Sequence, residues 1–165
     1  MKPSLIVLDI QNAWLDNSPE MKRGIESRAK TINEAIAWFR RRKLPVIVIY
    51  HEDRKNGVVP GTKAFEFFHD INIADTDIKI VKRYPDAFGK TGLEEVLKQE
   101  GCDSVVITGV SAGWCVLGTY FGALNWNVSP YIFQGGVAAD KEDYVRFAEE
   151  ICDTINLQKL EQAPL

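Results

Sequence analysis

Three side chains with reactive chemistry stand just beyond three apolar runs of this sequence. Asp9 ends Leu5-Ile6-Val7-Leu8, Lys82 ends Ile78-Lys79-Ile80-Val81, and Cys115 follows Val105-Val106-Ile107 after one glycine-containing turn. In an open parallel sheet, ligands bind beyond the carboxyl ends of the strands. An acid, an amine and a thiol at that edge would bring a base, a cation and a nucleophile into one small volume. Cys115 is the most informative of the three. It lies in Thr108-Gly109-Val110-Ser111-Ala112-Gly113-Trp114-Cys115-Val116, a strand-to-helix junction rich in small residues. Backbone amides can approach a ligand closely there, and the helix N-terminus is expected to favour a thiolate. Taken singly, each residue also has an ordinary structural reading: a cysteine packed in a core, a carboxylate capping a turn or paired with an amine, a lysine solvated at a strand end. Their convergence is the stronger argument.

The elements that must position them are read from hydrophobic periodicity. Leu5–Leu8, Val46–Tyr50 and Val105–Ile107 are continuous apolar runs, the pattern of strands buried on both faces. Ile78–Val81 and Val128–Phe133 are weaker candidates, and Pro130 predicts an edge or irregular strand. Helical spacing of Ile32, Ala35, Ile36 and Phe39 places a helix between Ser27 and Arg42, with a basic C-terminal end. Thr91-Gly92-Leu93-Glu94 has the form of a capping box, and Gly101 supplies a stop. Another helix runs between Gly113 and Asn125. Asp140 would cap a last helix with Tyr144, Phe147, Ala148 and Ile151 as its buried stripe. The irregular stretch from Glu52 to Asp77 reads as an excursion or short helix that helps cover a site. Alternating strands and helices predict an α/β sandwich with a mostly parallel sheet, and the whole of 1–165 reads as one domain.

Composition narrows the function classes. With 45% hydrophobic and 26% charged residues the chain can build and cover a core, and a net charge of −3 carries no basic excess for nucleic acid. No apolar run reaches the length of a membrane span, and no signal-peptide pattern opens the chain, so a cytoplasmic protein is expected. Cys102, Cys115 and Cys152 are an odd number at wide spacing, which predicts free thiols and neither a disulfide framework nor a structural zinc site. Trp14, Tyr84 and Trp114 stand beside the reactive positions and are candidates to line a substrate pocket; Phe88 reads as core.

Three ordered blocks carry a resemblance. Leu5 to Asn12, Lys82-Arg83-Tyr84-Pro85-Asp86-Ala87-Phe88, and Thr108 to Val116 resemble the signature segments of the isochorismatase-like cysteine hydrolases, which include nicotinamidases, N-carbamoyl-amide hydrolases and isochorismatases. The similarity extends from about Leu5 to about Ala139. It implies a three-layer αβα sandwich around a six-stranded, Rossmann-like parallel sheet in the order 3-2-1-4-5-6. It implies that Asp9, Lys82 and Cys115 form a catalytic triad, with a cis peptide at Val110-Ser111 and the backbone amides of Ser111 and Cys115 as oxyanion donors. A cysteine hydrolase of small amide or carbamoyl substrates follows, in a homo-oligomer without a cofactor. Vinyl-ether hydrolysis of the isochorismatase type and a catalytically silent scaffold are the alternatives, with a redox role for Cys115 a third.

Two places depart from the family pattern. His51, Asp53 and His69 lack the Asp-x-His order of the nicotinamidase metal cluster, so no metal is expected. Gly135-Gly136 stands where many relatives have Asp-Ala, and Ser111-Ala112-Gly113-Trp114 differs from the usual Ala-Thr-x-x. Substrate preference is therefore not carried over.

Overall fold

The apolar runs form the middle of a sheet because strands covered on both faces have no polar side to present. In the computed structural model, which describes residues 1–163, six strands run parallel in the order β3-β2-β1-β4-β5-β6. They are β1 (Pro3–Leu8), β2 (Val46–His51), β3 (Ile78–Lys82), β4 (Ser104–Val110), β5 (Ser129–Ala138) and β6 (Thr154–Ile155). The helices are α1 (Asn12–Asp16), α2 (Pro19–Arg41), α3 (Leu93–Gln99), α4 (Leu117–Asn125), α5 (Glu142–Ile151) and α6 (Leu157–Gln162).

Alternation along the strands divides the core in two. Leu5, Val7, Val46 and Val48 pack with Ile25, Ile32, Ile36 and Phe39 of α2 and Leu160 of α6. Ile6, Leu8, Ile47 and Ile49 face the other way, onto Leu93 and Leu97 of α3, Tyr120 and Ala123 of α4, and Val145 and Ala148 of α5. The result is the three-layer αβα sandwich implied by the resemblance.

Several local expectations change. The helix expected from Ser27 begins at Pro19, because Ser18 accepts the Met21 N–H and proline suits the first helical position. The start of α3 is no capping box: Gly92 occupies the cap, and the Thr91 hydroxyl bonds the Ala87 carbonyl and the Leu93 N–H. Pro130 marks an irregular strand, and β5 shifts register between Ile107 and Gly109 of β4. The edge is the two-residue β6, too short to leave a hydrophobic pattern of its own. Lys141, not Asp140, caps α5. That helix turns Val145 and Ala148 to the sheet and leaves Tyr144, Phe147 and Ile151 outside, because the smaller side chains allow the close approach to β5. The 52–77 segment holds one short 3-10 helix at Arg54–Asn56 among several turns and braces α1 instead of roofing a cavity: Asn12 and Ala13 N–H donate to the Glu66 and Ala64 carbonyls.

Glycine is required where β4 passes β1. Gly109 has φ +118°, and a Cβ there would stand 2.0 Å from the Leu8 carbonyl oxygen, immediately before Asp9. Gly109→Ala should therefore lower stability by at least about 3 kcal/mol, since neither backbone can yield cheaply. Urea unfolding of the two proteins measures the difference.

Candidate active site

Asp9, His51 and Lys82 leave the ends of β1, β2 and β3, and Cys115 lies in a wide π-type turn, Ala112–Val116, between β4 and α4. Asp9 turns out of the sheet at φ +55°, its N–H donating to the Ile49 carbonyl at 3.0 Å. The peptide between Val110 and Ser111 is cis. Gly118 and Gly122 of α4 admit the loop that follows β3; a Cβ at Gly122 would meet the Asp86 carboxylate at 2.1 Å.

These elements bring the three predicted residues together. Lys82 Nζ is 2.8 Å from Asp9 Oδ2 and 3.2 Å from Cys115 Sγ. The lysine and aspartate side chains are 0% and 3% exposed, so the ammonium and the carboxylate neutralise each other away from water. Lys82 also donates to the Tyr84 carbonyl at 3.0 Å and to His51 Nδ1 at 2.8 Å. An ammonium can only donate, so in this contact Nδ1 is the acceptor. Four acceptors thus surround a group with three hydrogens, and the sulfur, the longest contact, is the weakest of them.

His51 is the member that sequence reasoning weighed only as a metal ligand and then set aside. Its Nδ1 is 3.8 Å from both Asp9 Oδ2 and Cys115 Sγ. The signal was available: His51 ends an apolar run as Asp9 and Lys82 do, and it pairs directly with Lys82 across β2 and β3. Gln11 fixes its backbone, accepting from the His51 N–H at 2.7 Å and donating to the His51 and Phe65 carbonyls.

The charged floor opens into a cavity of about 220 Å³ lined by Asp9, Trp14, Met21, His51, Val110, Ser111, Trp114 and Cys115. Trp14 and Trp114 line the cavity. Tyr84 does not: its ring is half exposed beneath Lys90, and it reaches the site only through its carbonyl. Met21, at the start of α2, has no motif around it and was not anticipated. Phe88 is core.

The donor set does not fit a divalent metal. Asp9, His51 and Cys115 are close enough to share an ion, but the Lys82 ammonium already stands among them. Asp53 is spent capping the Arg54–Asn56 turn, and His69 is exposed beside Asp70. Glu52 points away from the cluster, bonded by Arg83 and Arg54, whose guanidinium groups hold its carboxyl below the usual range.

Burial pushes the Cys115 thiol up to about 12, with the Asp9 carboxylate adding to the shift and Lys82 opposing it. This corrects the expectation of a resting thiolate. The turn that holds the sulfur, Ala112–Val116, is a single wide one that runs on into α4.

The sequence profile of the Isochorismatase domain matches residues 3–152. The chain belongs to the isochorismatase family. A curated relative, the uncharacterized isochorismatase family protein YddQ of Bacillus subtilis (strain 168), is 27% identical over 119 residues, 70% of this chain. The matched part is 66% of YddQ, just under two thirds of its length. Among solved structures, an isochorismatase-like hydrolase from Alkaliphilus metalliredigens superposes with a TM-score of 0.87 at 24% identity, covering 98% of both chains. N-carbamoylsarcosine amidase from Thermoplasma acidophilum superposes with a TM-score of 0.80 at 25% identity, covering 94% of this chain and 96% of its own. The six-stranded order described above is the fold of this family of hydrolases.

The three thiols set a pH dependence of stability. Burial raises Cys102 and Cys152 to about 11 and Cys115 to about 12, against an ordinary value of 9.0. Below pH 9 the thiols are protonated in both folded and unfolded chains, and the contribution is complete. Above it the unfolded chain ionises first, which favours unfolding. Thermal melts should show the midpoint falling from pH 9 to pH 11, and less steeply in Cys152→Ala.

Proposed function

We propose that this protein is a cysteine hydrolase that cleaves a small amide or carbamoyl C–N bond through a thioester on Cys115. The observation that carries the reading is the position of Lys82 Nζ, within hydrogen-bond reach of both the Asp9 carboxylate and the Cys115 sulfur at the floor of a cavity.

In this mechanism Asp9 accepts the thiol proton as sulfur attacks the carbonyl carbon. Negative charge passes from carboxylate to sulfur and the ammonium remains in contact with both, so no group has to move. The raised thiol value fits a nucleophile formed in the act of attack rather than held as a standing thiolate. The Ser111 carbonyl accepts from the Trp114 and Val116 N–H groups at 3.0 and 3.2 Å, passing over that of Cys115. The Cys115 and Ser111 amides would then meet the oxyanion, each contributing about 3 kcal/mol in comparable sites. The proton on Asp9 leaves with the amine or ammonia. Water, deprotonated by Asp9, hydrolyses the thioester and restores the thiol.

The cavity lies below the roughly 300–1,000 Å³ of sites for drug-sized ligands, which favours a small substrate. Two indole walls favour one with a planar or apolar portion. The structural likeness to an N-carbamoylsarcosine amidase supports the carbamoyl class.

An ammonia-release screen over small primary amides, carbamoyl amino acids and nicotinamide tests the reading. At least one class should turn over, and Cys115→Ala should lose at least about 10³-fold. Full activity in that variant would overturn the covalent route. His51→Ala should lower kcat/KM by about 10–100-fold, the loss of one charge-assisted hydrogen bond to Lys82, while His51→Asn, which keeps an acceptor, recovers part of it. Steady-state kinetics on the substrate found by the screen measure both.

A further inference from the structure

Lys82 has an exacting position and a thin element to hold it. β3 is an edge of the sheet, paired with β2 alone among the described residues, and it turns Lys79 and Val81 to solvent. Its last residue nonetheless carries a buried ammonium that must reach a carboxylate, an imidazole and a sulfur at once. A constellation of this kind has to be held to within about 0.5 Å.

One residue beyond each member of the His51–Lys82 pair stands a charged side chain that the reaction does not use. Glu52 follows His51, and Arg83 follows Lys82. Successive side chains of an extended chain point to opposite faces, so these two meet on the side away from the cluster. The Glu52 side chain is 7% exposed; its Oε2 accepts from Arg83 Nε at 2.5 Å and its Oε1 from Arg54 Nε at 3.1 Å. The backbone makes the same tie, with the Glu52 N–H donating to the Lys82 carbonyl at 2.8 Å.

Two observations set this contact apart from a surface ion pair. Pairs between exposed side chains contribute little, but here the carboxylate is withdrawn from water, a costly state unless its oxygens are bonded. The chain folds a turn to bond the second oxygen: Asp53 caps Arg54–Asn56, and Asp53 and Val58 exchange backbone hydrogen bonds at 2.9 Å, which brings Arg54 back to Glu52. Arg83, moreover, stands between Lys82 and Tyr84, whose carbonyl accepts from the ammonium at 3.0 Å. Holding Arg83 holds both the root of the lysine and one of its acceptors.

We propose that Glu52 is a positioning residue for Lys82: through Arg83 it fastens the end of the edge strand to β2 and keeps the ammonium against the Cys115 sulfur. The effect on turnover rests on the proposed function; the effect on the thiol does not.

The thiols test it without a substrate. Lys82 favours ionisation of Cys115 and bears on neither Cys102 nor Cys152. Alkylation by iodoacetamide at pH 9, followed at each cysteine by peptide mass spectrometry, is compared in the wild type, Glu52→Gln, Arg83→Gln and the double variant. Glutamine has one acceptor oxygen and cannot hold both arginines. In each single variant the Cys115 rate should fall about 10-fold, with Cys102 and Cys152 unchanged. The double variant should fall no further, because both substitutions open the same contact. An unchanged Cys115 rate in either single variant overturns the positioning role. A double variant that sums two losses, or a rise at all three cysteines, overturns it as well. If Glu52→Gln does not fold, Arg83→Gln, at a side chain 58% exposed, is judged by the same rates, and Arg83→Lys should recover part of the loss. On a substrate found by the ammonia screen, Glu52→Gln should lose a similar factor in kcat with KM unchanged. If the screen finds none, the proposed function fails and the alkylation rates still decide the role of Glu52.

Discussion

The ion pair between Asp9 and Lys82 is the constraint around which the rest of the molecule is arranged. Neither side chain reaches solvent, and breaking such a pair by removing one partner costs about 3–5 kcal/mol because the other charge is stranded. Two strands separated by β2 must therefore end at the same height, and the chain must turn out of β1 at a left-handed residue to aim the carboxylate inward. The absence of a side chain at Gly109 lets β4 approach closely enough to bring the thiol to the same point. Gly122 does the equivalent for the loop after β3. A glycine on a helix and a glycine in a strand thus serve one electrostatic requirement.

Much of this could be read without coordinates. The continuous apolar runs of β1, β2 and β4 admit little except doubly covered strands, and the edge where ligands bind follows from their direction. Asp9 and Lys82 were legible because each ends an apolar run, and Cys115 because it stands in the turn that follows one. His51 sits at the end of one too, but beside Glu52 and Asp53 it is weighed only as a metal ligand, and the missing Asp-x-His order sets it aside. Only the register of β2 against β3 gives it to Lys82. Met21 was beyond reach, since the helix carrying it begins where no apolar period has yet built up. Tyr84 shows the opposite failing: adjacency in sequence to a reactive lysine says nothing about which way a loop turns its ring.

The largest misreading concerns α5. Its sequence alternates two apolar stripes, Val145 with Ala148 and Tyr144 with Phe147 and Ile151. Periodicity identifies both as suited to burial and cannot say which faces the sheet. Packing decides, because β5 leaves room for the smaller pair. The bulkier stripe keeps its pattern on the outer side of the helix. The thiol of Cys115 is a similar case of local pattern and surroundings disagreeing: a strand-to-helix junction argues for ionisation, and burial of the sulfur beside the Asp9 carboxylate argues against it.

The cavity is assembled from two sources that barely overlap. Its charged floor comes from strand ends locked into the sheet, whereas its walls come from Trp14 on α1, Met21 at the start of α2 and Trp114 in the turn before α4. Met21 and Trp114 make none of the Asp9–Lys82–His51 contacts, whereas Trp14 packs edge-on to the His51 ring and donates to Gln11 Oε1, the acceptor of the His51 N–H. Selection for a new substrate can therefore act on Met21 and Trp114 one position at a time. One charged floor can in this way carry walls of different chemistry while the sheet beneath it stays the same.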